Sequence, residues 1–337
     1  MKIIIDNKIP FIRQRLEPVA DVTYASPDSF TPALVKDADA LVVRTRTRCD
    51  SALLAGSDVS MVMTATIGTD HIDAGWCEAN GITVSNAAGC NAPGVAQYVW
   101  SGLLQAGFDP ARHTLGIVGK GNIGSIVADW GRKAGVRVIV CDPPRQRAGF
   151  TDEDYLPLET LLEEADAITL HTPLTREGVD STFHLIGEGE LGKMKPGSIL
   201  VNASRGEVVD NGAWAKRLKE SPSDIAIIDV WEGEPSLNPD LLRRAMIATP
   251  HIAGYSRQGK ERATRMALEA LERHFHISAD KTGLCGPYMA PEGDISLRDV
   301  ADSYNPMADT APLKENPAAF EALRSDYSYR EEPTFRN

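Results

Sequence analysis

Short apolar runs rich in β-branched residues alternate with helical patterns along most of this chain, and nothing else in the sequence constrains the fold as strongly. MKIIID, VTYA, ALVVR, MVMTATIG and GITVSNA fall within residues 1–87, and TLGIVG, VRVIVCD, AITLHT, SILVNAS, DIAIIDVW and MIATPH within 114–251. Runs of this kind suit strands buried on both faces, and helices between them supply the crossovers of parallel sheets. A chain of 337 residues is too long for one ordinary core. The expectation is therefore an α/β protein with two Rossmann-like or flavodoxin-like domains built on parallel sheets.

Between the two series, GVAQYVWSGLLQ (94–105) places apolar residues at 95, 99, 103 and 104, the spacing of one helix face, and is expected to bridge the domains. A second long helix, from about Gln258 to Phe275, could return the chain to the first domain. That divides the chain into a discontinuous substrate-binding lid domain (1–92 with 255–280) and a cofactor domain (93–254). Beyond about Asp280, Gly, Pro, Asp and Asn punctuate short apolar pieces, so 281–337 is read as a C-terminal extension, either an irregular tail or a small packing or dimerisation element.

The chain carries 47 acids against 35 bases, a formal charge of −12, which argues against nucleic acid or an anionic membrane as the main partner. An anionic substrate must then meet a local basic cluster. RTRTR would place Arg44, Arg46 and Arg48 on one side of an extended segment, an anion site suited to a phosphorylated acid. No stretch reaches the roughly 18 apolar residues of a membrane span, and the N-terminus lacks a signal-peptide core, so a cytoplasmic protein is expected. The five cysteines are scattered without a CxxC pair, indicating neither a disulfide framework nor structural zinc. Thr69, Asp70, His71, Asp73 and Cys77 match no standard metal spacing, and His113, His184, His274 and His276 show no partner pattern. No metal is expected.

HTLGIVGKGNIGSIVADWGRKAG holds Gly119-x-Gly121-x-x-Gly124 directly after an apolar strand and ahead of a helical pattern. A lone GxGxxG is weak, but here the next strand, VRVIVC, ends in Asp142, 18 residues after Gly124 (142 − 124) and close to the roughly 20 expected for a ribose-binding acid. Gly119 permits the tight turn, Gly121 lets backbone N–H groups approach a pyrophosphate, and Gly124 lets helix and strand pack closely. Asp142 would bind both ribose hydroxyls and repel a 2′-phosphate, favouring NAD over NADP. Arg145 and Arg147 lie just downstream, where they could soften that discrimination.

Ligands of parallel sheets bind beyond the carboxyl ends of the strands. Those ends here are His171-Thr172-Pro173, Asn202-Ala203-Ser204-Arg205-Gly206, Asp229-Val230-Trp231 and Thr249-Pro250-His251. Oxidising an alcohol beside a carboxylate calls for a base, a cation and a nicotinamide. His251 suits the base and Arg205, with its planar fork, the cation. Glu234 would bond the far imidazole nitrogen, fix its tautomer and stabilise the imidazolium. No GxSxG, HExxH or Walker sequence offers a hydrolase or kinase alternative.

Through GxGxxG, the NASRG segment and the order Arg205, Glu234, His251, the chain resembles the D-isomer-specific 2-hydroxyacid dehydrogenases. DADALVVRTRT, ATIGTDHID, GCNAPGVAQYV, VCDPPR, DVWEGEP and HIAGYS narrow the resemblance to members that act on a four-carbon phosphorylated hydroxy acid. The resemblance implies oxidation of 4-phospho-D-erythronate at C2, with NAD as acceptor, in pyridoxal 5′-phosphate biosynthesis. It implies that Arg205 and Glu234 are catalytic and that His251 exchanges the proton. It further implies that Thr45, Thr66 and Tyr255 touch substrate and that Asn122, Ile123, Asp142, Thr172, Ala203, Ser204, Asp229 and Gly254 line NAD. Thr45 stands where related sequences would carry serine and keeps the hydroxyl. The resemblance also implies a homodimer formed through a C-terminal domain, one that the segment after Asp280 is expected to match only in shortened form. Two other readings are a dehydrogenase for another acid, such as 3-phosphoglycerate, and an NAD-sensing binding protein on the same fold.

Overall fold

The computed structural model describes residues 1–335. Its contacts divide the chain into two compact units: Met1–Asn91 with Arg257–Met289, and Ala92–Ser256 with the chain from Ala290 onward.

In the first unit, β1 (Lys2–Asp6), β2 (Asp21–Ala25), β3 (Ala40–Val43), β4 (Met61–Thr64) and β5 (Thr83–Asn86) form one sheet in the order β2-β1-β3-β4-β5. Every pairing is parallel. Alternate side chains serve opposite faces, as the strand period of two requires. Ile3, Ile5, Val42 and Met63 pack with Ala263, Ala267, Leu268 and Leu271 of the Arg257–Phe275 helix, whereas Ile4, Leu41, Val43 and Val62 enter a second cluster with Val35, Leu53 and Cys77. Burial on both faces is why these strands lack polar alternation.

In the second unit, β6 (Thr114–Val118), β7 (Arg137–Cys141), β8 (Ala167–Leu170), β9 (Ile199–Asn202), β10 (Ile225–Ile228) and β11 (Ile247–Ala248) run in the order β11-β10-β9-β8-β6-β7. This sheet is also parallel throughout. Each apolar run of the sequence holds one strand. The Ala92–Gln105 helix lies in this unit: a Cβ on its Gly102 would come within 3.3 Å of Ile227, and the Trp100 indole donates to the Val127 carbonyl at 3.2 Å. Absence of a side chain at Gly131 lets the Asn122–Lys133 helix seat against Trp100, since a Cβ there would stand 2.8 Å from the ring.

The segment after residue 280 is shared between the two units. Residues to Met289 group with the first unit and those from Ala290 with the second. Leu313 and Phe320 are fully buried in the second unit's core, each worth about 1.5–3 kcal/mol of apolar burial. The Thr310 hydroxyl accepts the Ala248 N–H at 3.1 Å, extending the edge strand's bonding to the C-terminal helix Met307–Glu315.

Candidate active site

After β6 the chain crosses to β7 on one side and later to β8 on the other, so the sheet's direction of winding reverses between β6 and β8. Loops diverge at such a point and leave a crevice. Gly119 ends β6 there with φ +91°, and a Cβ on it would meet the His171 carbonyl oxygen at 2.7 Å. A Cβ on Gly124 would stand 2.0 Å from the Gly119 oxygen, so both positions require glycine. Gly121, by contrast, caps the Asn122–Lys133 helix with open space around its would-be Cβ. Asn122 beside it is exposed and Ile123 half-buried. A cradle of this form suits a pyrophosphate at a helix N-terminus. The Thr172 hydroxyl and His171 Nδ1 are buried without a hydrogen-bond partner among the described residues, which also fits a bound dinucleotide in the crevice. Burial pushes His171 down to about 3, so this imidazole stays neutral.

Asp142 follows β7. Its Oδ2 accepts the Lys120 N–H at 2.7 Å and its Oδ1 the Arg145 N–H at 3.1 Å, which fixes the carboxylate against the glycine loop while each oxygen keeps a lone pair for a ribose hydroxyl. Arg145 and Arg147, which the sequence allowed to soften this site, both have partners within the protein. Arg145 donates to the Tyr155 hydroxyl at 3.1 Å and to Asp152 at 3.2 Å and lies 3.9 Å over the Phe150 ring, while Arg147 pairs with Asp180. Both guanidiniums are held by groups of the protein.

The remaining candidates follow three adjacent strands. Past β9, Asn202 Oδ1 accepts from the Ser204 N–H and hydroxyl, at 3.1 and 2.9 Å, and its amide donates to the Arg205 carbonyl at 2.9 Å. This local network shapes the loop that presents Arg205. Ser204 spends its side chain on it and, with Ala203, is buried. The next residue, Gly206, passes so close to the loop after β10 that a Cβ would come 2.0 Å from the Trp231 carbonyl carbon. The two loops are therefore in backbone contact beside Arg205.

His251, three residues past β11, has φ +59°, a left-handed conformation uncommon for a side-chain-bearing residue. Asp229 holds it there. The His251 N–H donates to the Asp229 carbonyl at 2.8 Å, and the Asp229 carboxylate accepts from Ile252 N–H at 2.7 Å, Ala253 N–H at 2.9 Å and the Thr249 hydroxyl at 2.6 Å. Asp229 is buried, and burial pushes its carboxyl up against the opposing pull of the His251 charge and these donors. Of the residues expected to line NAD it is thus the one whose side chain is most occupied with building the loop. His251 Nδ1 meets Glu234 Oε2 at 2.9 Å, and Glu234 Oε1 accepts the Trp231 N–H at 2.8 Å. Burial raises the Glu234 carboxyl, but the His251 bond and charge, the Trp231 N–H and the Arg324 charge together bring it below its ordinary value. An ionised carboxylate can only accept, so Nδ1 carries a proton, and in the neutral form of the ring the lone pair is then on Nε2.

Gly254 and Tyr255 continue the same loop, half-buried. In the first unit, the expected line of arginines does not form: the chain turns at Thr45-Arg46, with Thr47 N–H bonded to the Arg44 carbonyl at 3.2 Å. Arg44 pairs with buried Asp6 at 2.9 Å, and Arg48 with Asp50 at 2.6 Å. Opposite charges nearby redirect them; Thr45 and Arg46 remain exposed on the turn. Thr66 bonds the Thr64 hydroxyl at 2.6 Å. His184, read as having no partner, meets Glu232 at 2.8 Å. Among the described residues no group of three His, Cys, Asp or Glu could hold a metal ion. Two residues with no sign in the sequence are Arg324 and Arg330, brought to the His251 loop by the C-terminal segment. The Arg324 Nε donates to the Tyr255 hydroxyl at 3.3 Å, and Arg330 donates to the carbonyls of Ile252, at 3.0 Å, Ala253 and Gly94.

A glycine cradle at the switch point of a parallel sheet, with Arg, Glu and His past three neighbouring strands, defines a dehydrogenase of the 2-hydroxyacid class. Residues 94–253 match the family model described as the NAD-binding domain of D-isomer-specific 2-hydroxyacid dehydrogenases, and NAD is the cofactor. Erythronate-4-phosphate dehydrogenase of Bacteroides fragilis (strain YCH46) is 45% identical over 98% of this chain and 97% of its own. The enzyme of that name from Citrobacter koseri is 41% identical over 98% of this chain and 92% of its own. Among solved structures, the NAD-bound 3-phosphoglycerate dehydrogenase of Entamoeba histolytica aligns with TM-score 0.69 at 26% identity, covering 86% of this chain and 99% of that one. The chain belongs to the erythronate-4-phosphate dehydrogenase family, within the D-isomer-specific 2-hydroxyacid dehydrogenases.

Proposed function

We propose that this NAD-dependent 2-hydroxyacid dehydrogenase oxidises 4-phospho-D-erythronate at C2 to (R)-3-hydroxy-2-oxo-4-phosphooxybutanoate, a step of pyridoxal 5′-phosphate biosynthesis. The observation that carries the chemistry is the 2.9 Å His251 Nδ1–Glu234 Oε2 pair; a carboxylate there accepts from Nδ1–H, which leaves Nε2 of the neutral imidazole to accept. In this reading Nε2 takes the C2 hydroxyl proton, and Glu234 stabilises the imidazolium that results. The Arg205 guanidinium binds the substrate carboxylate and the oxygen that becomes the carbonyl. Bound NAD supplies the acceptor for the hydrogen and electron pair leaving C2. Gly119, Gly121, Asn122, Ile123 and Gly124 hold its pyrophosphate, Asp142 its adenosine ribose, and Thr172, Ala203, Asp229 and Gly254 the remainder. Thr45, Arg46, Thr66 and Tyr255 contact substrate.

An intact proton-transfer pair favours an enzyme over an NAD-sensing binding protein. Five cysteines outside any disulfide are compatible with the reducing cytoplasm, where we place the protein. We expect a homodimer, as the family resemblance implies, which sedimentation of the purified protein would test. The discriminating assay follows NADH formation with 4-phosphoerythronate and with 3-phosphoglycerate as separate substrates. Higher kcat/KM for 4-phosphoerythronate is expected; preference for 3-phosphoglycerate would overturn the substrate assignment.

A further inference from the structure

The substrate assigned above carries two anionic groups, and the strand-end site supplies a cation for one of them. Arg205 answers the carboxylate, which every 2-hydroxyacid shares. A phosphate dianion needs a further cation. Of the three arginines the sequence offered for it, Arg44 and Arg48 are engaged by Asp6 and Asp50, and Arg46 stands exposed on a turn of the first unit.

The C-terminal segment brings another candidate to the catalytic loop. Arg324, in the short helix Phe320–Ser325, donates from Nε to the Tyr255 hydroxyl at 3.3 Å. Tyr255 is four residues past His251 and is itself a proposed substrate contact. Arg324 is half-buried and enters no ion pair among the described residues, although Glu234 and Glu321 lie within its field. A guanidinium withdrawn from water without a paired carboxylate is costly unless an anion completes it. The segment around it is firmly seated. Tyr327 and Tyr329 pack edge-on against the Tyr255 ring at 6.1 and 6.3 Å, and Arg330 donates to loop carbonyls on either side of Gly254. One N–H of the Arg324 fork is used on Tyr255, and the terminal nitrogens remain for a ligand.

We propose that Arg324, with the Tyr255 hydroxyl it orients, binds the phosphate of the substrate and so selects a phosphorylated acid over an unphosphorylated one. This rests on the substrate reading above. The test compares kcat/KM for 4-phosphoerythronate and for erythronate in the wild type, Arg324→Met and Arg324→Lys. Wild type should prefer the phosphorylated acid, and in Arg324→Met that preference should fall roughly 10- to 150-fold, the worth of one charge-assisted hydrogen bond. Competitive inhibition by inorganic phosphate should weaken by a similar factor. Arg324→Lys, which keeps the charge and the packing stem, should lose part of the preference and carries the test if the methionine variant no longer binds NADH. An equal loss on both acids with phosphate inhibition unchanged would overturn the proposal and leave Arg324 a support for Tyr255 and Glu234. A wild type indifferent to the phosphate would overturn the substrate reading itself, and this inference with it.

Discussion

His251 and Glu234 are ordinary residues made unusual by their surroundings. The imidazole sits on a left-handed backbone that Asp229 holds with one bond from its carbonyl and three accepted by its carboxylate. Replacing His251 with Asn should lower kcat by roughly 10²–10⁴-fold, the usual worth of a positioned acid–base group, while leaving NAD affinity near the wild-type value. Stopped-flow NADH formation and NADH titration would check the two halves; full retention of turnover would remove His251 from the chemistry. Glu234 has a folded-state pKa lowered below its ordinary 4.5, so the stability from its ionised form is fully present above that value and is lost as the pH falls through the lower folded one. The difference in Tm between wild type and Glu234→Gln should accordingly be widest above about pH 4.5 and shrink below it, as a melting series would show. At this scale the sequence spoke clearly about residue types: an Arg, a Glu and a His past three apolar runs were readable as a set. It could not reveal that Asp229 would be occupied with the His251 loop, because its partners at 249, 252 and 253 meet it through a fold the sequence only implies.

Strands and the loops after them set where those residues go. Gly206 is required by the neighbouring loop rather than by its own turn, since its hydrogen faces the Trp231 carbonyl carbon where a methyl would stand at 2.0 Å. Gly206→Ala should therefore destabilise the protein by about 3 kcal/mol or more, because backbone rather than a flexible side chain must move, and thermal denaturation would measure it. At the cofactor strand, Asp142→Ala should raise the KM for NAD without making NADP a good substrate. Arg145 and Arg147 stay bound to Asp152, Tyr155 and Asp180, so no cation is released for a 2′-phosphate. Efficient use of NADP by that variant would show that these pairs open readily. The elements themselves were legible because burial on both faces leaves uninterrupted apolar runs. The RTRTR segment was not, since whether arginines align depends on where Asp6 and Asp50 stand in space.

For the molecule as a whole, the notable feature is how the last part of the chain is used. Leu313 and Phe320 complete the second unit's core, and Arg330 is bonded to the loop that follows His251. Ending the chain before Pro317 should lower Tm and also cut turnover, measurable by calorimetry and assay on the same preparation; a truncated enzyme of normal activity would confine the segment's role to packing. Its composition of Gly, Pro and short apolar pieces reads as a tail because contacts spanning 69 residues, such as Arg324 to Tyr255, leave no periodic trace in sequence. The sequence by itself determined the two parallel sheets, the dinucleotide cradle and which residue types end the strands at the proposed catalytic set, all of which follow from local spacing and strand burial. Only the tertiary structure decided which arginines are committed to carboxylates, what holds the His251 loop in its left-handed turn, and that the chain's end returns to that loop. Those outcomes depend on distances between residues far apart in the chain, which packing fixes and local pattern does not encode.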